Sequence, residues 1–357
     1  MRISRLALLG VLITCAGSCS TNEPQPVLDL PNNGRPDPTS CVTIDTIDFI
    51  CDVISPEDLA VLPGNEWLIA SGNQEGGKLH LVNVSSKKTS IFFPTASPTI
   101  QHNIELYPRC PGPIDPTEGT TFRAHGLYLK PSADNRHTLY LVHHGNRESI
   151  EVFTVDAQGN VPTITWVGCA VAPDQLVLNS VVALPDGGFA TTSFRTKGRT
   201  ESFDEILAGK LSGSVWEWNT NSGWHEVPGS DTGGPNGLEI SSDGKWLYIA
   251  GWGSQQFIRL SRGIKPIERE HIDLHFRPDN LRMQTDGSIF ASGADNFDTA
   301  EETLHIARIQ PETFDIEHII DRPVIQDFAA CTSAVQIEDE IWMGTNRGKM
   351  IGVFPVH

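Results

Sequence analysis

GPNGLEISSDGKWLYIAGWG, from Gly234 to Gly253, is the stretch whose reading decides the fold. Leu238 and Ile240 flank a polar residue, Ser242-Asp243-Gly244 supplies a turn, and Trp246 to Ala250 is a second apolar run. That is the pattern of a β-hairpin. Ahead of the first strand stands Asn236-Gly237. Asn followed by Gly is ordinary turn chemistry, but an amide oxygen is also a hard metal ligand. The stretch alone leaves both readings open.

The same unit recurs along the chain: a polar residue, a short apolar strand, a turn commonly built on Asp-Gly, then a strand with Trp, Tyr or Phe. The copies begin EDLAVLPGNEWLIASG at Glu57, HGLYLKPSADNRHTLYLVHH at His125, NSVVALPDGGFATTSF at Asn179, NGLEISSDGKWLYIAGW at Asn236, DNLRMQTDGSIFASGAD at Asp279 and TSAVQIEDEIWMGTN at Thr332. A third strand follows each: KLHLVNV, SIEVFTVD, GSVWEWN, QFIRLSRG, LHIARIQP and KMIGVFPV. Six such units at intervals of roughly 40 to 70 residues predict an all-β, six-bladed β-propeller with four-stranded blades and longer insertions in the early blades. A two-sheet sandwich would not explain six similar units that each start on a polar residue. The 32 Gly and 24 Pro, with 20% charged residues, agree with an all-β chain, and 357 residues suffice for a substantial core.

The N-terminus reads MRISRLALLGVLITCAGSCSTNEP, with Arg2 and Arg5 ahead of an apolar run from Leu6 to Gly17 that is too short for a permanent membrane span. Residues 1–18 read as a secretory signal. Ala16-Gly17-Ser18-Cys19 resembles a lipobox, with Cys19 as the lipidated residue and Ala16 where Leu is usual. Residues 19–40, rich in Pro, Asn and Asp, read as a flexible tether, and 41–357 as the propeller. An exported, periplasmic or membrane-anchored bacterial lipoprotein follows as the expectation. Removing residues 1–18 takes the formal net charge from −18 to about −20, which argues against nucleic acid and against electrostatic binding to anionic lipid.

Five cysteines follow Cys19, at 41, 51, 110, 169 and 331, without zinc-type spacing. In an exported chain they read as disulfides. Spacing does not fix the connectivity; the pairings adopted are Cys41 with Cys51 and Cys110 with Cys169, which leaves one cysteine over.

In a propeller the inner strands run side by side around the axis, so polar residues at their starts converge on one end of the central channel. Glu57, Asn179, Asn236, Asp279 and Asn280 would then offer five side-chain oxygens with a formal charge of −2. Such an oxygen-only set suits Ca²⁺, whereas zinc recruits His or Cys. Any one of these residues alone reads as a turn-former; the metal reading rests on their coincidence at equivalent positions.

These motifs, with EDL, AHGLYL, HHGNRESIEVF, LNSVVAL, PNGLEISSDGKWLYIA and PDNL, resemble the paraoxonase, senescence-marker-protein-30 and gluconolactonase group of calcium-dependent six-bladed propellers over residues 50–357. The resemblance places the group's catalytic calcium on Glu57, Asn179, Asn236, Asp279 and Asn280. It places a catalytic histidine at His125 and a second at His144, or at His143 with a one-residue shift. The group's second calcium uses an Asp after the Glu ligand and another after an Asn ligand. Here Asp58 is kept and Ser180 replaces the other, so Asp58 reads either as a ligand of a second Ca²⁺ or as support for the first set.

The activity this resemblance implies is hydrolysis of a small-molecule lactone or related ester, arylesterase-like, with calcium polarising the carbonyl and His125 activating water. No GxSxG, HExxH, GxGxxG or P-loop motif occurs to support another chemistry. A propeller can also be a binding scaffold with a structural calcium, and that is the alternative carried forward. A third reading, a strictosidine-synthase-like condensing enzyme, is disfavoured by the retained ligand set. Trp252 reads as packing between blades, with the pocket wall as its other role.

Overall fold

The computed structural model describes residues 41, 43–115, 122–199, 202–325 and 328–356; the expected signal, tether and lipidation site at Cys19 lie outside them. The chain forms six sheets, one per blade; four are laid down from the inner strand outward, and the other two also carry an outermost strand from earlier in the chain. The inner strands are Pro56–Val61, Phe122–Lys130, Leu176–Ala183, Pro235–Ile240, Arg277–Met283 and Cys331–Ile337. Each is followed by the aromatic-bearing second strand and the third strand of its repeat. The all-β, six-bladed propeller expected from the repeats is the fold observed.

Two strands lie beyond the repeats as read. Asp48–Ile50 pairs antiparallel with Ile351–Pro355, so residues from the start of the domain supply the outer strand of the last blade. This ties the first and last blades together. Thr99–Ile100, within the long insertion after the first blade, adds a parallel fifth strand to the second blade at Thr165–Trp166.

Packing between blades follows from strand alternation, because each blade has apolar side chains on both faces. Leu59, Leu68 and Ala70 of the first blade meet Val335, Trp342 and Ile351 of the sixth. Val182, Ala190 and Val215 of the third meet Leu238, Leu247 and Ile258 of the fourth. Similar clusters fill the other interfaces, so the core is a ring of seams around the channel.

Disulfides join Cys41 to Cys51 and Cys110 to Cys169, as expected, and Cys331 is free and buried. Two disulfides fit an oxidising compartment outside the cytoplasm. Among the described residues no helix is long and apolar enough to cross a membrane.

Candidate metal centre and histidine pair

Every inner strand breaks register with its neighbour near its start. The irregularities fall between Pro56 and Leu59, Ala124 and Leu127, Leu178 and Val181, Pro235 and Leu238, Pro278 and Leu281, and Cys331 and Ser333. A bulge frees residues from the ladder and re-aims their side chains. The residues so released include Glu57, His125, Asn179, Asn236, Asp279 and Thr332, the polar starts of the six repeats.

Asn236 therefore lies inside a strand and not in a turn leading to it, and Gly237 owes its place to close approach. A Cβ there would come within 2.5 Å of the Asp279 carbonyl oxygen on the next inner strand, and one at Gly126 within 2.3 Å of that of Asn179. Neighbouring inner strands converge too tightly for a side chain at these points.

Of the five expected oxygen donors, Glu57 and Asn280 meet directly, Asp279 lies within electrostatic reach of Glu57, and Asn179 and Asn236 stand at the bulged starts of their own inner strands. Glu57 and Asn280 are 1% exposed, Asn236 4% and Asn179 7%, while Asp279 is partly buried. Asn280 Nδ2 donates to Glu57 Oε1 at 2.7 Å, the Thr332 hydroxyl donates to the Glu57 carbonyl at 2.6 Å, and the charges of Glu57 and Asp58 bear on the Asp279 carboxyl. Four oxygens in this group, Glu57 Oε2, Asn179 Oδ1, Asn236 Oδ1 and Asn280 Oδ1, are buried without a hydrogen-bond partner. Each orphaned buried acceptor costs about 1–3 kcal/mol. Four unsatisfied hard oxygens on the bulged starts of four inner strands are what a hard cation would satisfy, so the donor set fits Ca²⁺.

Electrostatics agree with that chemistry. Burial pushes Glu57 up to about 7, and burial together with the charges of Glu57 and Asp58 holds Asp279 well above the usual carboxylate range. Two carboxyls forced together are acidified by a cation between them.

Asp58 has other partners. Its Oδ1 accepts from the Leu59 N–H at 2.8 Å and pairs closely with the Arg282 guanidinium, and its Oδ2 accepts from the Leu127 N–H at 2.6 Å. Arg282 also donates to the carbonyls of Leu59 (3.1 Å), Leu281 (2.8 Å) and Leu127 (3.0 Å) and lies 4.0 Å from Glu239. A guanidinium thus supplies positive charge beside Asp58 and links three inner strands. Sequence reasoning missed Arg282, because one Arg in an alternating strand carries no sign of facing the axis.

His125 Nδ1 lies 2.8 Å from His144 Nε2, and its Nε2 lies 3.6 Å from Glu57 Oε1. Burial, reinforced by His144 and Arg123, holds His125 well below the ordinary histidine range, so its imidazole is neutral at pH 7. Adjacent residues on a strand point to opposite faces. Accordingly it is His144 that meets His125, while His143 packs against Phe122 at 5.2 Å with its Nδ1 3.1 Å from the Arg147 carbonyl. Beyond His144 the chain of contacts continues to Glu148, whose Oε2 is 2.8 Å from His144 Nδ1 and whose Oε1 accepts from the Leu178 N–H at 2.6 Å. Glu148 belongs to HHGNRES, but it lies in the turn after the second strand and has no counterpart in the repeat pattern.

Trp252 follows the second strand of the fourth blade, and the pairing of Gly251 with Pro235 puts it at the same end of the blade as Asn236. It is buried against Phe194, Phe203 and Phe297, with the Arg277 guanidinium 4.9 Å from its ring. Phe203 opens the short helix Phe203–Leu207 in the insertion between Arg195 and Ser212, and Ser202 and Glu205 cap it reciprocally. Arg277 fastens this segment by donating to the Leu207 carbonyl at 3.1 Å.

No family model matches the chain and no curated protein matches it in sequence. Among solved structures, a luciferin-regenerating enzyme shares 14% identity at a TM-score of 0.53, covering 85% of this chain and 92% of that one. The PQQ-bound aldose sugar dehydrogenase of Streptomyces coelicolor shares 12% at 0.51, covering 86% and 98%. Regucalcin, a calcium-binding protein of Agrobacterium tumefaciens, shares 13% at 0.50, covering 85% and 91%. Likeness at such identities is one of fold, and function has to be argued from the site.

Proposed function

We propose that the chain is a calcium-dependent hydrolase of lactones or related carboxylic esters. The observation that carries this reading is the set of four orphaned buried oxygens, one of them on Glu57, with the Asp279 carboxyl as the second charge and the neutral His125 3.6 Å from the other oxygen of Glu57. That one of the fold neighbours is a calcium-binding protein supports the choice of ion.

Glu57, Asn179, Asn236, Asp279 and Asn280 would hold the ion. Bound calcium supplies Lewis-acid polarisation of the scissile carbonyl. His125 Nε2 takes a proton from water as the water oxygen bonds to the carbonyl carbon. The acyl C–O bond then breaks, and the same proton returns to the departing alkoxide, giving the hydroxy acid from a lactone. His144 holds the His125 ring from the far side. Asp58, occupied by Arg282 and two backbone N–H groups, serves as support for Glu57, so one calcium per chain is the stoichiometry proposed. The residues around Trp252 would form part of the substrate wall.

A panel of γ- and δ-lactones and simple aromatic esters tests this reading. Turnover of one substrate class is expected. A folded, calcium-binding protein inactive across the panel would favour the binding-scaffold alternative.

The raised carboxyls fix a pH dependence. Glu57 ionises near 4.5 in the unfolded chain and near 7 in the metal-free fold, so between those values the folded state binds more protons. Stability of the metal-free protein therefore falls as pH rises through that window. Calcium needs the ionised carboxyls, so its affinity weakens as pH drops below about 7. Thermal melts with and without calcium at about pH 5.5 and 7.5 check both signs. The metal-free protein should melt higher at the lower pH, and calcium should raise the melting temperature more at the higher. An equal calcium shift at both would contradict the assignment.

A further inference from the structure

We propose that Glu148 is a positioning residue that sets the tautomers of both histidines and thereby leaves His125 Nε2 bare to accept a proton. This rests on the hydrolytic reading of the site.

Proton counting along the contacts gives the result. An ionised carboxylate only accepts hydrogen bonds, so the His144 Nδ1 atom, 2.8 Å from Glu148 Oε2, carries the proton. When the pair is uncharged each ring has one N–H, so a proton on His144 Nδ1 leaves His144 Nε2 bare to accept. His125 Nδ1, 2.8 Å from it, must then donate. That leaves the lone pair of His125 on Nε2, the atom facing Glu57.

Neighbouring groups leave Glu148 to this task. Arg147, the adjacent cation, is held by both oxygens of Glu151 at 2.9 Å and by the Gly112 carbonyl. The second oxygen of Glu148 fixes the Leu178 N–H, one residue before Asn179, where the inner strand of the third blade breaks register. One carboxylate therefore orients the histidine pair and anchors the strand that carries a candidate ligand.

Glu148→Gln separates these two roles. The amide oxygen still accepts from Leu178, but the amide N–H₂ donates to His144 Nδ1, which reverses each ring in turn and puts a proton on His125 Nε2. Replacing the carboxylate that orients a histidine base by an amide can cost about 10⁴-fold in turnover through the wrong tautomer. The test combines ¹⁵N–¹H correlation spectra of the histidine rings with steady-state kinetics and calcium titration, on the calcium-loaded full chain.

Wild type should show the Nδ1–H form at His125 and His144, and Glu148→Gln the Nε2–H form. In that variant kcat should fall about 10³-fold or more, with KM and calcium affinity nearly unchanged. Glu148→Asp, which keeps a carboxylate, should restore the wild-type tautomers and part of kcat. Wild-type tautomers or wild-type kcat in Glu148→Gln would overturn the proposal. So would loss of calcium binding in that variant, since the carboxylate would then act through Leu178 and Asn179. If the tautomers reverse as stated but wild type hydrolyses no lactone or ester, the orienting role stands and the hydrolytic reading falls.

Discussion

Asp279→Ala is expected to weaken calcium binding by about 10²-fold or more and to remove hydrolytic activity with it. Asp279 carries one of the two charges in the proposed ligand set, and calcium affinity depends steeply on how many charged ligands a site holds. The variant has a second signature. In the metal-free protein Asp279 is destabilised by burial and by the charges of Glu57 and Asp58, so its removal relieves repulsion. Melting in the presence of chelator should therefore occur at or above the wild-type temperature. Weak calcium binding with an intact or improved metal-free fold separates loss of a ligand from loss of structure. Unchanged calcium affinity in calorimetric titration would take Asp279 out of the site.

His125→Gln is expected to lower kcat by about 10² to 10⁴-fold, the usual contribution of a positioned general base. Glutamine is of comparable length and polarity, and His125 is not among the proposed ligands, so calcium affinity should stay within a few-fold of wild type. Kinetics and titration on the same preparation read both quantities. Activity that survives this change would move the base elsewhere. Equal loss of kcat and calcium affinity would make His125 part of the metal centre.

The propeller is legible because each blade repeats the same unit, and repetition is visible where a single strand is not. The hairpin from Asn236 to Trp252 is ambiguous alone and becomes the inner half of a blade once five counterparts stand beside it. The closing strand Asp48–Ile50 is too short for periodicity to mark it, and its partner lies at the far end of the chain. The added strand Thr99–Ile100 is shorter still.

That Glu57, Asn179, Asn236, Asp279 and Asn280 lie at the starts of inner strands is legible from the repeats, but what re-aims their side chains is not. The bulges that turn these residues out of the ladder depend on pairing registers, and the need for glycine at 237 depends on the next strand's backbone. Glu148 and Arg282 lie outside the repeat logic, since each acts through partners brought close only by the fold. Choosing His144 over His143 required the side-chain direction on one strand.

The central claim is that calcium held by these oxygens drives hydrolysis, and chelation followed by calcium add-back tests it most directly. On the best substrate of the panel, activity should vanish when metal is removed and return in proportion to about one calcium bound per chain. Full activity in the metal-free protein would contradict it.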